Sequence, residues 1–294
     1  MLLLEEIPEP SFTRQEVLVK VLSAGVNPVD WKIRQGLLFP FLKKNFPTIL
    51  GWDISGTVLK AGSEVTNVKP GDKVFGLLNI YQEGSYAQEA AVGADKLCVI
   101  PEGLEPILAG AIPMVALTGI QLAQAVKPSA KKRILVTGAT GGVGRFAVYE
   151  ALLNGAQVVA GVRSRQKDFA RSLLGPTVEI VSLDEPISLS AMKTFDGIAD
   201  TLGTKDRGQL VNWVNRKGII ASALDVPAQP PGTQIQTLRV GVRFDAAQLL
   251  CAAKAVMSGE VKLEVKHQIS LAEVARAHSL AEAGGLTGKI VLIP

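Results

Sequence analysis

The chain has 294 residues, 47% of them hydrophobic and only 5% aromatic, enough for a large aliphatic core in one large domain or two ordinary ones. A formal net charge of +4 is too small an excess to call for a nucleic-acid or other polyanionic partner. The two cysteines, Cys98 and Cys251, stand far apart with no Cys-x-x-Cys, which argues against a disulfide framework or a cysteine zinc site and fits a reducing, cytoplasmic setting.

In chain order, "MLLLEEIPEP" reaches Glu5 and Glu6 too soon for a signal-peptide core. "EVLVKVLSAGV" (16–26) reads as a strand. Residues 53–78 alternate β-branched residues with turn signals at Gly62-Ser63, Lys69-Pro70 and Gly71-Asp72, and 85–104 add two more strands. The uncharged run 107–126 is long enough to span a bilayer, but Gly110, Pro113, Thr118, Gly119, Gln121 and Gln124 interrupt it. It reads as a turn and a buried helix. Strands and helices then alternate: helix 114–126, strand 133–137, helix 142–154, strand 157–161, helix 165–174, strand 178–182. Strand 196–200, helix 206–216 and strand 217–222 continue the pattern of a parallel α/β sheet. A Pro/Gly-rich loop (225–235), a helix (245–258) and a last strand, "GKIVLIP", close the chain.

One stretch carries chemistry. "TGATGGVG" (137–144) sits between a strand and a helix, the context in which glycines let a pyrophosphate approach the backbone and the helix N-terminus. The expected ligand is a dinucleotide held at Thr140, Gly141, Gly142 and Val143. The next strand ends in Arg163, Ser164, Arg165 and Lys167, with no acid before Asp168. A carboxylate there would serve the ribose hydroxyls of NAD, whereas basic side chains suit the 2′-phosphate of NADP(H). The expectation is therefore NADP(H), with Arg163, Ser164 and Lys167 at the phosphate. The same glycines fit the short-chain dehydrogenases, but those need Tyr-x-x-x-Lys. Tyr81, Tyr86 and Tyr149 are followed four residues on by Ser85, Ala90 and Leu153. Lys131-Lys132-Arg133 before a strand reads as a solvated loop rather than a nucleic-acid contact.

Six segments together resemble the medium-chain dehydrogenase/reductase superfamily: 24–36 "AGVNPVDWKIRQG", 46–76, 84–103, 137–144, "FDGIADTLG" (195–203) and 288–294. The match is to its zinc-free quinone oxidoreductase and alkenal/enone reductase branch. The resemblance implies an α/β fold: a β-rich GroES-like catalytic domain (1–108, completed by 245–294) and a Rossmann doubly wound parallel sheet (109–244). It also implies a further first strand ahead of "LEEIPEP" that this sequence does not carry. Zinc alcohol dehydrogenases of the superfamily have Gly-His-Glu where this chain has Gly51-Trp52-Asp53, so no metal is expected. His267 and His278 are read as surface or packing residues.

By the same resemblance, Asn27 and Asp30 are the expected catalytic residues, with Asn27, Thr118, Leu202 and Gly203 beside the nicotinamide. Trp52 is a candidate for either the pocket wall or the core, and Lys32 and Tyr81 are weaker candidates for oxyanion donors. Without an acid/base constellation in the sequence, the expected reaction is hydride transfer to a quinone or α,β-unsaturated carbonyl. Its delocalised anion needs only a few donors and takes a proton from solvent. A non-catalytic NADPH-binding protein of the same fold is the alternative. A homodimer is the expected assembly.

Overall fold

A computed structural model describes residues 2–38, 46–185, 194–203 and 207–294. The valine-rich first strand, β1 (Glu16–Val26), buries side chains on both of its faces, with Val17, Leu18 and Val19 at most 1% exposed. It can do so because three strands pair with it. β2 (Asp53–Ala61) runs antiparallel along Val17–Ser23, and β4 (Glu89–Gly93) along Glu16–Lys20. The last strand, β13 (Lys289–Ile293), pairs with Ala24–Val26. β3 (Lys73–Leu77) and β5 (Leu97–Val99) continue beyond β2, and β12 (Val265–Ser270) lies parallel to β13. The C-terminal strand thus returns to the N-terminal one, and Lys289 arrives beside Val26 and Asn27.

Short helices decorate this unit: α1 (Pro28–Arg34), with Pro28 in its first turn, and α2 (Pro106–Ala109). The long apolar run divides at Gly110–Ile112 into α2 and α3 (Pro113–Ala125). Among the described residues no helix is long and apolar enough to cross a membrane.

The second half is a parallel sheet. Its strands are β6 (Arg133–Thr137), β7 (Gln157–Val162), β8 (Glu179–Ser182), β9 (Phe195–Asp200), β10 (Val214–Ser222) and β11 (Gln236–Arg239), in the order β11-β10-β9-β6-β7-β8. Chain order runs outward from β6 in one direction and from β9 in the other, so the topology switches between these neighbours. Helices α4 (Gly142–Leu153) and α5 (Lys167–Leu174) follow β6 and β7. One core packs Ile134, Val136, Ala147, Ala151, Val158 and Ala160; another packs Leu135, Val159, Phe195 and Ile198.

The chain divides into two compact units. One comprises Met1–Met114, Phe244–Gly259 and Leu263–Pro294; the other comprises Val115–Arg243 and Glu260–Lys262.

Most expected elements are present within a residue or two, but the helix expected over 206–216 is not. Residue 206 lies outside the described residues. A 3-10 turn (Arg207–Gln209) and the single-turn α6 (Leu210–Trp213) follow, and Val214–Arg216 belong to β10. Val214 is buried and pairs with Phe195, so sheet pairing overrides a locally helical pattern. β11 forms from the polar "QTLR" at the sheet edge, where composition gives little signal. β12 and the helix α8 (Val274–Ala283) were also not foreseen; α7 (Ala246–Met257) lies where a helix was expected.

Candidate active site

The glycine loop leaves β6 at Thr137 and opens α4 at Gly142. No side chain caps this helix, and Gly141, in the capping position, is exposed. Its first-turn N–H groups are therefore offered outward together with the positive end of the helix dipole. Gly144 serves packing rather than binding. A Cβ there would stand 2.2 Å from the Gly138 carbonyl, so only glycine lets the helix sit this close to the turn. The buried Arg145 guanidinium donates to the Thr140 carbonyl at 3.0 Å and to that of Lys262, holding the loop.

Across the switch point, Asp200 ends β9 and is 2% exposed. Its carboxylate accepts from Thr137 Oγ1 (2.6 Å), Ser222 Oγ (3.0 Å) and the N–H of Gly203 (3.1 Å). Thr201 Oγ1 donates to the Thr137 carbonyl at 2.7 Å. Three strand ends are tied by one carboxylate, which presents Leu202, 46% exposed, and Gly203 next to the glycine loop. Sequence reading missed Asp200. An uncapped helix N-terminus of this kind fits a dinucleotide pyrophosphate, with Thr140, Gly141, Gly142 and Val143 around it. Thr118 lies in α3, buried, in the same unit.

The basic turn after β7 differs from expectation. Arg163 and Arg165 are exposed. Ser164 is not free: its N–H and Oγ both donate to Asp184 Oδ1, at 2.8 and 2.7 Å, and Ser182 Oγ donates to the same oxygen at 2.6 Å. These bonds hold the Asp184 carboxyl below the usual carboxylate range. Lys167 Nζ pairs with Glu185 at 2.8 Å. The reading of a turn without carboxylates is thereby corrected: the acids come from the end of β8, beside β7 in the sheet. The signal was the stretch Ser182-Leu183-Asp184-Glu185, which linear distance from Ser164 concealed.

In the first unit, Asn27 and Asp30 lie in a buried polar cluster. The Asn27 N–H donates to Asp30 Oδ2 at 2.7 Å, and the Tyr86 hydroxyl donates to the same oxygen at 2.8 Å. Asn27 Nδ2 donates to Asp53 Oδ2 at 2.7 Å, and Lys289 Nζ donates to Asn27 Oδ1 at 2.6 Å and to the Val26 carbonyl at 3.1 Å. Asp53 Oδ1 accepts the N–H of Met114, and Lys289 Nζ stands 3.9 Å from Asp53 Oδ2. Burial lifts the Asp30 carboxyl to about 7 and the Asp53 carboxyl to about 6, the latter moderated by Lys289 and Asn27. Burial also lowers the Lys289 ammonium and raises the Tyr86 phenol. Gly51, at φ +91°, makes room for Tyr86, whose ring would lie 2.3 Å from a Cβ there.

Two expectations change here. The sequence shows no acid/base constellation, yet sheet pairing assembles one from Asn27, Asp30, Asp53, Tyr86 and Lys289. The amide nitrogen of Asn27, expected to steady an oxyanion, donates to Asp53 Oδ2 at 2.7 Å and to the Gly25 carbonyl at 3.5 Å.

A family model described as the alcohol dehydrogenase GroES-like domain matches residues 13–119, and one described as zinc-binding dehydrogenase matches residues 154–292. The chain is 32% identical to a chloroplast envelope quinone oxidoreductase homolog of Arabidopsis thaliana, over 98% of this chain and 93% of that protein. The chain belongs to the medium-chain dehydrogenase/reductase superfamily. It is also 32% identical to an NADPH-dependent alkenal/one oxidoreductase of the Arabidopsis chloroplast, over 97% of this chain and 74% of that one. A quinone oxidoreductase from Coxiella burnetii has the same fold, with a TM-score of 0.85 and 25% identity over 98% of this chain and 93% of that chain.

The superfamily includes zinc enzymes, and the residues here do not fit that metal. At the Gly-His-Glu position Trp52 is fully buried, a core residue rather than a pocket wall, and its indole cannot ligate zinc. Asp53 is engaged by Asn27, Met114 and a lysine ammonium. Among the described residues no group of three or more His, Cys, Asp and Glu could hold a metal ion. His278 is buried, its ring 5.8 Å from that of Tyr86 and nearly perpendicular, and burial lowers it to about 4. Tyr81 is 69% exposed, and Lys32 lies half-buried over the Trp31 ring, 5.6 Å from its centre. Neither reaches the polar cluster.

Proposed function

We propose that this member of the superfamily is a zinc-independent, NADPH-dependent oxidoreductase that reduces a quinone or an α,β-unsaturated carbonyl. The observation that carries the reading is the uncapped N-terminus of α4, opened by an exposed Gly141 at the switch between β6 and β9. NADPH supplies a hydride when bound. The N–H groups of Gly142 and Val143, beside Gly141 and Thr140, hold the pyrophosphate; Leu202, Gly203 and Thr118 line the nicotinamide; the exposed Arg163 meets the 2′-phosphate, while Ser164 and Lys167 stand beside it engaged by Asp184 and Glu185. The names of the two Arabidopsis relatives support the quinone and enone classes.

Residues 1–108 with 245–294 form the catalytic domain in this reading, and 109–244 the cofactor domain. Asn27 acts there as a positioning residue, its amide holding Asp53 at one end and Lys289 at the other. Asp30 and Tyr86 form a proton-holding pair. The Asp30 carboxyl is poised near neutrality, and its Oδ1 is buried without a hydrogen-bond partner among the described residues, so a proton is best placed on that oxygen. A quinone or enone suits such a site, because hydride addition yields a delocalised anion that needs no Lewis acid.

The test is NADPH oxidation against a panel of quinones, enones, alkenals and simple alcohols, with metal analysis of the same preparation. Turnover of quinones or enones without stoichiometric zinc is expected. Alcohol oxidation at matching rates would overturn the reaction class.

A further inference from the structure

The turn after β7 carries an internal contradiction. Its residues Arg163, Ser164, Arg165 and Lys167 suit a 2′-phosphate, yet the strand next to it delivers two carboxylates onto the same groups. A phosphate dianion takes N–H and O–H donors. Ser164 has one of each, and both point at Asp184 Oδ1. Ser182 Oγ, 2.8 Å from Ser164 Oγ, donates to the same oxygen and completes a three-donor cage around it. The cage fixes the charge there: Asp184 is held ionised, so protonation at neutral pH does not remove its repulsion. Glu185 spends the ammonium of Lys167 in parallel. Of Arg163, Ser164, Arg165 and Lys167 only the two arginines stand exposed.

We propose that Asp184 is a specificity-determining residue that occupies the donors of Ser164 and repels a 2′-phosphate, so that the chain discriminates between NADPH and NADH far less than its basic turn alone would dictate. The inference rests on the dinucleotide reading above and deepens it. NADH, with a neutral ribose hydroxyl in place of the phosphate, meets no such repulsion. The acid acts as a counterweight: Arg163 and Arg165 favour NADPH, and Asp184 with Glu185 offsets part of that preference.

The experiment is a titration of the whole chain with NADPH and with NADH, followed by nicotinamide fluorescence, for wild type, Asp184→Asn and Asp184→Ser. Asparagine keeps a carbonyl for the serine donors and loses the charge. The expected result is a gain in NADPH affinity on the order of ten-fold, with NADH affinity held within about two-fold. Ser164→Ala supplies a second readout. It should cost little NADPH affinity in the wild-type and Asp184→Asn backgrounds, where an oxygen still accepts from the hydroxyl, and several-fold in Asp184→Ser, whose shorter side chain releases it to the phosphate. A NADPH-to-NADH ratio unchanged in both variants, or a loss of NADH affinity marking Asp184 as a ribose ligand, overturns the inference while leaving dinucleotide binding intact. If wild type binds neither nucleotide, the dinucleotide reading itself falls.

Discussion

Lys289→Met keeps most of the side chain's apolar stem and deletes its ammonium. That ammonium donates to two buried acceptors, Asn27 Oδ1 and the Val26 carbonyl, and stands 3.9 Å from the buried Asp53 carboxylate. Leaving a buried acceptor unpaired costs about 1–3 kcal/mol, and deleting one partner of a buried ion pair costs about 3–5 kcal/mol. The two costs overlap, because one nitrogen serves all three atoms, so a loss of about 3–5 kcal/mol is expected at about pH 8. The loss should depend on pH. Asp30 and Asp53 titrate at about 7 and about 6 in the folded chain, against 3.8 for the ordinary side chain. The folded state therefore holds protons that the unfolded state has already released, and stability falls as pH rises through this window. Below it both carboxyls are neutral and need no counter-charge. At about pH 5 the penalty should shrink to about 1–3 kcal/mol, that of the unpaired acceptors alone. Urea titration followed by tryptophan fluorescence reads this directly, because Trp31 and Trp52 belong to the same unit as Lys289 and Trp213 to the other. A loss below about 1 kcal/mol at both pH values, or an equal loss at both, would refute a charged role for Lys289.

Arg163→Ala should weaken NADPH about ten-fold and leave NADH unchanged, since only the former carries a 2′-phosphate; fluorescence titration of both cofactors checks it. Asn27→Ala strips Asp53 Oδ2 and Lys289 Nζ of their shared partner, so it should lower kcat and destabilise the first unit by about 1–3 kcal/mol, measured by steady-state kinetics and urea titration. Asn27→Asp adds a third carboxylate to Asp30 and Asp53 and should shift the pH profile of kcat, which a purely space-filling role for Asn27 would leave in place. Prolonged dialysis against a strong chelator should leave NADPH-dependent quinone or enone reduction unchanged, because the Trp52 and Asp53 positions offer no zinc ligation.

The sequence by itself determined what is local. Strand β6, the glycine loop and the start of α4 follow one another within a dozen residues, and hydrophobic period, glycine spacing and helix opening all point the same way there. The order of strands and helices through the parallel sheet was legible for the same reason. The tertiary structure alone decided which distant side chains meet. Lys289 lies 262 positions from Asn27 and reaches it because β13 pairs with β1; Tyr86 lies 56 positions from Asp30; Asp184 lies 20 from Ser164 and meets it because β8 pairs with β7. None of these pairings has a local signature, since a strand's partner is chosen by the burial and hydrogen bonding of the whole sheet. The same competition turned Val214–Arg216 from helix to strand, and it gave Asp30 and Asp53 carboxyl groups that titrate near neutrality. Burial is a property of the assembled unit, and it converts ordinary acids into a proton-holding cluster.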